Sequence, residues 1–406
     1  MNISFENTAI AFKYKTDKEL KTAKFLFSSM AIDWLVKLGL KLTPWIIHSG
    51  LPVTGFIKKT IFSQFVGGET LEETSKVVDK LSRFNVQVIL DYGVEGKEGE
   101  ENFEKVTDNL IQVIEYAASQ PNIQFISVKL TGFARFELLQ KLDDAADYNN
   151  TINGIVSTAI LSIDEKLEWQ RVETRLERIC KAAHKSNTGV LIDAEESWIQ
   201  DPVDALTVKM MQKFNQQKAV VYNTIQLYRH DRIQFLIDSF SFSKNNSFLP
   251  GFKLVRGAYM EKERRRAEEL KYASPIQPAK QLTDEDYNKA LEFCIERLPE
   301  LYIIVASHNE FSNLYAVELM EKWQFSFDNP HIHFSQLYGM SDNITFNLAT
   351  AGCAVSKYLP FGPIKDVIPY LMRRAQENSS VSGQTGRELA LIKKEITRRA
   401  MQQETE

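Results

Sequence analysis

One pattern in this 406-residue chain limits its fold more than any other. From about residue 85 onward, short β-branched and apolar runs ending in polar residues alternate with helical stretches. The runs span 86–91, 123–130, 189–193, 220–228, 252–255, 302–306, 332–337 and 354–359, with helical segments such as 165–184 between them. Runs of this length separated by helices signal repeated βα units and a parallel sheet. Parallel strands need helical crossovers and are buried on both faces, which accounts for the near-continuous apolar character of the runs. Eight such units predict an α/β chain closed into a (β/α)8 barrel. Ahead of it, helical patterns at 18–30, 31–40 and 71–84 predict an N-terminal helical arm, the last opened by Gly67-Gly68-Glu69-Thr70. A charged pattern at 389–403 predicts a C-terminal helical tail. The expected division is an arm over 1–84, the barrel over 85–385 and the tail over 386–406.

Composition removes several classes. Hydrophobic residues at 44% and charged residues at 25% exclude a disordered or fibrous chain. The net charge of −4 offers no basic stripe for nucleic acid. Cys180, Cys294 and Cys353 are far apart and odd in number, so they make neither a disulfide framework nor a zinc motif. The first residues lack signal-peptide and transit-peptide patterns. The apolar stretch 25–50 is interrupted by Asp33, Lys37 and Lys41, which excludes a membrane span; as an amphipathic helix it is expected to pack on the barrel rather than lie on a membrane.

Barrel enzymes place their chemistry at the C-terminal ends of the strands. There the sequence puts Lys129, Asp193 with Glu195, Gln226 with Tyr228, Arg256 with Tyr259, Ser307-His308-Asn309, Gln336 with Tyr338, and Tyr358. Glycoside hydrolysis needs two carboxylates flanking a bond. The only cluster is Asp193 to Glu196, because the fourth and seventh strands end in Gln, so that chemistry is excluded. His331-x-His333 begins its strand and belongs to the opposite end of the barrel, so no metal site is expected. A Schiff-base or pyridoxal-phosphate enzyme using Lys129 stays open, as does a non-catalytic carboxylate-binding barrel. No Gly-x-Gly-x-x-Gly follows a strand, so a bound nucleotide would rest on cationic side chains and strand-end amides. After the eighth run, Tyr370, Arg373, Arg374 and Glu377 share one helical face. Adjacent arginines there suit a small carboxylate, which guanidinium groups grip bidentately.

These residues fall into an ordered series: Asp193-Ala194-Glu195-Glu196-Ser197, Gln226-x-Tyr228, Lys253-Leu254-Val255-Arg256-Gly257-Ala258-Tyr259, Ser307-His308-Asn309, Gln336-Leu337-Tyr338-Gly339-Met340, Tyr358, and Tyr370-x-x-Arg373-Arg374-x-x-Glu377-Asn378. The series, spanning 129–378, resembles the FAD-dependent proline dehydrogenase family, in a monofunctional form closer to the mitochondrial-type branch. The resemblance implies oxidation of L-proline to Δ1-pyrroline-5-carboxylate, the first step of proline catabolism. It implies hydride transfer from C5 to flavin N5, with electrons passed to a membrane quinone and peripheral contact with the membrane. Carried over by motif, Lys129, Arg373 and Arg374 would bind the substrate carboxylate. Leu254, Tyr259, Tyr358 and Tyr370 would wall the ring, and Glu377 would brace the arginines. Asp193 and Lys253 would serve catalysis, with Lys253, Ala194, Gln226, Arg256, Gly257, Ala258, Ser307 and His308 along the FAD. Bifunctional bacterial members typically carry Arg before the Leu254 position, where this chain has Lys253. A bulky Tyr358 near the ring's C4 favours proline over 4-hydroxyproline. A bacterial cytoplasmic protein at the inner face of the membrane is expected.

Overall fold

The computed structural model describes residues 3–32, 54–93, 98–380 and 384–405. Eight parallel strands, β1 (Gln87–Tyr92), β2 (Ile123–Val128), β3 (Gly189–Ile192), β4 (Val221–Gln226), β5 (Gly251–Val255), β6 (Tyr302–Ala306), β7 (Ile332–Leu337) and β8 (Val355–Phe361), close into a barrel in chain order. The expected (β/α)8 architecture is the observed one, and every predicted run contains or overlaps its strand. The chain divides into two compact units, 95–335 and 1–94 with 336–406.

In the larger unit, ring contacts between strands that are not neighbours identify the interior face. Phe125 on β2 meets Tyr222 on β4 at 5.6 Å and His333 on β7 at 5.1 Å between centroids. Small residues alternate with these rings. A Cβ at Gly189 would overlap the Phe125 ring, and one at Gly251 would lie 2.6 Å from the Tyr222 ring. The two glycines therefore make room for aromatics on the preceding strand, and density is kept by pairing large with small. Outside the barrel, the helix Ile163–Ser186 starts at a Ser162/Glu165 capping box and stops at Asn187 in the left-handed region. It packs on the helix Glu100–Ala118 through a row of ion pairs. Arg175, with its side chain 1% exposed, reaches Glu104 at 2.8 Å and also contacts Glu100, while Arg178 reaches Glu104 and Asp108 at 2.6 Å each.

In the smaller unit, β1 pairs with β8 from Gln87↔Ser356 to Tyr92↔Phe361. The arm does not pack as a separate body. Phe12, Leu20 and Phe27, the last two on the helix Asp17–Met30, share one core with Phe62, Phe65, Val367, Leu371, Leu391 and Ile392. Both ends of the chain thus build one hydrophobic cluster, finished by Arg399 pairing with Asp17 at 2.7 Å and Glu395 at 2.8 Å. The expected helix at 71–84 is seen as Leu71–Ser82, and the charged tail as Gln384–Thr405. The expected helix at 31–40 falls, from residue 33 on, outside the described residues. No helix among the described residues is long and apolar enough to cross a membrane.

The glycine at the start of β3 offers a test of the interior packing. Gly189→Ala should cost about 1–3 kcal/mol, because the Phe125 ring must shift or the strand must bend. Thermal unfolding of the variant should show a lowered midpoint, with the far-ultraviolet spectrum unchanged.

Candidate active site

The strand register brings one set of side chains to the interior face at the C-terminal ends of β2 to β5. Phe125 pairs with Gly189, Leu191 with Tyr222, and Thr224 with Lys253, so alternation carries Lys129, Asp193, Gln226 and Lys253 to the same side. Lys129 and Asp193 directly follow β2 and β3, and the Asp193 amide donates to the Val128 carbonyl at 2.8 Å. The Asp193 carboxylate lies between two lysines. Its Oδ1 accepts a hydrogen bond from Lys253 Nζ, and its Oδ2 faces Lys129 Nζ at 3.3 Å. Burial by itself opposes ionisation of Asp193, but the Lys253 and Lys129 ammonium groups outweigh it and hold the carboxyl well below the usual range. The Lys253 side chain is 7% exposed and the Lys129 side chain 25%, so Lys129 is the cation that solvent reaches.

The same two strand exits supply a second pair that the sequence reading noted only in part. Thr131 stands two residues after Lys129 and Glu195 two after Asp193, and the Thr131 hydroxyl lies 2.8 Å from the Glu195 carboxyl. Burial, and then the like charge of Glu196, push Glu195 up to about 7, against the pull of Lys129. Gln226, the last residue of β4, donates from Nε2 to the Glu195 carbonyl at 2.8 Å. Its Oε1 is buried and accepts no hydrogen bond from the described residues.

The exit of β5 is braced rather than open. Arg256 donates to Asp284 at 2.7 Å, Ser307 at 2.7 Å and Ser312 at 2.9 Å, and stacks 4.3 Å from the Tyr287 ring. Most of its guanidinium is committed to tying β5 to the β6 exit. Gly257 adopts φ +129, and a Cβ there would lie 2.5 Å from the Tyr228 ring, so this glycine is required by packing. Ala258 is exposed and Ala194 half-buried, while Tyr259 and His308 are half-buried. Asn309, after His308, caps the helix Glu310–Lys322. Leu254 follows Lys253 in β5 and is fully buried. Alternation turns it to the opposite face, so the strand does not bring it together with Lys129, Asp193 and Lys253.

The smaller unit holds the remaining residues. Tyr358 lies on β8 opposite Ile89 in the β1 register and is half-buried. Tyr370, Arg373 and Arg374 lie on the helix Ile364–Ser380. Tyr370 is buried, and the buried Arg374 stacks its guanidinium 5.1 Å from the Tyr370 ring. Arg373 is half-buried, and the Glu377 side chain lies outside the described residues.

The histidines at the start of β7 and the open Schiff-base alternative each meet a physical constraint. His331 precedes β7 and its Nδ1 lies 2.9 Å from the Leu301 carbonyl, while burial lowers His333 to about 3. Among the described residues no group of three or more His, Cys, Asp or Glu could hold a metal ion. A Schiff-base lysine must react as the neutral amine, and a carboxylate 3.3 Å from Lys129 favours the ammonium.

A closed parallel barrel with a buried charged cluster at the strand exits defines the class as a (β/α)8 barrel enzyme. The family model described as proline dehydrogenase matches residues 74–387, and the chain belongs to the proline dehydrogenase family. Mitochondrial proline dehydrogenase 1 of Dictyostelium discoideum is 33% identical over 379 residues, covering 86% of this chain and 66% of that protein. Hydroxyproline dehydrogenase of Xenopus laevis is 30% identical, covering 99% of this chain and 91% of its own length. Among solved structures, proline utilization A from Bdellovibrio bacteriovorus, inactivated by N-propargylglycine, superposes with a TM-score of 0.69 at 20% identity. That match covers 92% of this chain and 38% of the larger protein, and it supports the fold.

The raised pKa of Glu195 has a measurable consequence. The folded state keeps this carboxyl protonated up to about pH 7, whereas an unfolded glutamate ionises near 4.5. Between those values the native state binds the extra proton, so stability falls as pH rises. The Glu195 contribution is worth about 3 kcal/mol across that window at most. Glu195→Gln should remove it, giving a midpoint that declines less between pH 5 and 7 than in the parent. Identical pH profiles for the two proteins would contradict the assignment.

Proposed function

We propose that the protein oxidises L-proline to Δ1-pyrroline-5-carboxylate with FAD as cofactor, as the first step of proline catabolism, and passes the electrons to a membrane quinone. The observation that carries this reading is the buried Lys129–Asp193–Lys253 cluster at the barrel's strand exits. It stands at the motif positions of a family whose matched region spans 74–387.

Within that reading, Lys129 offers its partly exposed ammonium to the substrate carboxylate, joined by Arg373 and Arg374. Charge-assisted contacts of this kind fix a small ring in one orientation, and positioning can be worth several kcal/mol. Tyr259, Tyr358 and Tyr370 would wall the ring and exclude water. Asp193 orients the two lysines by holding one on each oxygen.

The residues present fit a flavin. The buried acceptor Gln226 Oε1 suits the ring's imide N–H, and Lys253 places a cation deep at the strand exits. FAD, when bound, would accept the hydride from proline C5 at N5. Lys253 would hold positive charge where the cofactor gains electrons, which favours the reduced form. Ala194, Gly257, Ala258, Ser307 and His308 would lie along the cofactor, and Arg256 would shape that surface by bracing β5 against β6. Glu377 would support the arginine pair. The substrate amine must be neutral to react, so the rate should rise with pH.

Proline is preferred over 4-hydroxyproline because Tyr358 would crowd a substituent at C4. The quinone acceptor puts the protein at a membrane surface, in this reading the inner face of a bacterial cytoplasmic membrane. Lys18, Lys21 and Lys59 around the exposed Phe25 on the arm are suited to such a surface.

The anaerobic visible spectrum of the purified protein tests the core of the proposal. Flavin bands should bleach on addition of L-proline. Bands indifferent to proline but bleached by 4-hydroxyproline would move the substrate, and no flavin after loading with FAD would overturn the reading. Arg373→Ala should raise KM for proline at least about tenfold, with flavin content unchanged.

A further inference from the structure

We infer that Glu69, in the segment ahead of the barrel, is a positioning residue that sets the pose of the arginine-bearing helix Ile364–Ser380. The inference rests on the proposed role of Arg373 and Arg374 as the carboxylate clamp.

The helix begins just after β8, and its first turn has unmet N–H groups. Ile364 donates its amide to Glu69 Oε1 at 3.1 Å. A carboxylate at this end also complements the helix dipole. No residue of the helix supplies this bond. It comes from almost three hundred positions earlier in the chain.

The segment that carries Glu69 is fastened along the β8 exit. The Gly67 amide donates to the Pro360 carbonyl at 2.8 Å, and the Gly362 amide donates to the Gly68 carbonyl at 3.0 Å. Gly67 is needed for this approach, since a Cβ there would lie 2.9 Å from Leu359 Cγ. Glu69 is in turn held in place. Its other oxygen pairs with Lys58 at 2.6 Å, Lys58 pairs with Glu73 at 3.1 Å, and Glu73 accepts the Glu69 amide at 2.9 Å. Lys58 lies in a five-residue π-helical stretch, Lys58–Phe62, a geometry that re-aims side chains within a helix.

The helix has a reason to need an external fastening. Pro369 sits inside it, one residue before Tyr370. A proline there removes a hydrogen bond to the preceding turn and loosens the first turn from the rest. Fixing Ile364 from outside restores a definite origin. Arg373 lies nine residues beyond it, about 14 Å along the axis. A small change of tilt at Ile364 therefore becomes a large displacement of the guanidinium.

The test uses the FAD-loaded enzyme with Glu69→Ala, Glu69→Gln and Arg373→Ala in parallel. Glu69→Ala should raise KM for L-proline about tenfold while kcat changes less than about twofold, the signature of lost binding energy. Glu69→Gln keeps an amide oxygen for the Ile364 N–H and should show a rise of only about threefold. Hydrogen exchange at the amides of 364–367 should quicken about tenfold in Glu69→Ala. If Glu69→Ala does not fold, the KM and exchange of Glu69→Gln carry the test. Wild-type KM in the Glu69 variants beside a raised KM in Arg373→Ala would overturn the positioning role and leave the clamp standing. A lowered melting midpoint with unchanged KM, a merely structural outcome, would overturn it too. Wild-type KM in Arg373→Ala would overturn the clamp and this inference with it.

Discussion

One desolvated carboxylate organises the charged end of the larger unit. Asp193 and Lys253 are both nearly out of water, and an isolated charge in either position would be prohibitive. Each is tolerable because the other is there, and Lys129 meets the second oxygen. The three residues come from the exits of β2 and β3 and the body of β5, so the cluster fixes those strand ends relative to one another. It also sets the surrounding electrostatics. Two cations serve one anion, leaving net positive charge where a substrate carboxylate and an electron-accepting ring would each be favoured.

The strands were legible because parallel barrel strands are buried on both faces. Their runs are continuous and apolar, and each ends where the polar exit begins. Capping chemistry is local at Ser162-x-x-Glu165, where the helix starts two residues ahead of the 165–184 segment expected from the sequence. At the charged end, the rule that barrel chemistry gathers at strand C-termini was enough to select Lys129, Asp193 and Gln226, whereas Lys253, in the body of β5, entered through the resemblance of its motif. What the sequence could not show depends on contacts between distant positions. The motif around Arg256 gives no sign of its partners Asp284, Ser307 and Ser312. Leu254 carries a motif position, but the pleat decides its face. Alternation was available as a signal and would have separated it from Lys253. Thr131 and Glu195 repeat at a two-residue offset the pattern of Lys129 and Asp193, a regularity visible in the sequence only once the two strands are known to pair.

The arm shows the same limit from another side. Its helices were predicted from period and caps, but nothing local indicates that Phe27 and Phe65 would share a core with Val367 and Leu391. Gly67-Gly68-Glu69-Thr70 reads as a helix start, and Thr70 does cap Leu71–Ser82. The two glycines and Glu69 answer to a different partner, the β8 exit. A segment can satisfy a local rule and a long-range one together, and only the local one is written in its neighbours.

The identity of residue 253 follows from how Asp193 is shared. A carboxylate has two oxygens, and here each takes one ammonium: Oδ1 from Lys253 and Oδ2 from Lys129. An arginine at 253 would present a planar fork that matches both oxygens at once. It would compete with Lys129 for the second oxygen, or turn its remaining donors elsewhere. A lysine is a point charge on a flexible stem that meets one oxygen of the carboxylate, and the other oxygen holds Lys129 at the solvent-reached edge. The departure from arginine at this position is thus more than a loss of bidentate geometry. With a lysine, Asp193 can orient two cations separately, one buried in β5 and one at the edge that solvent reaches.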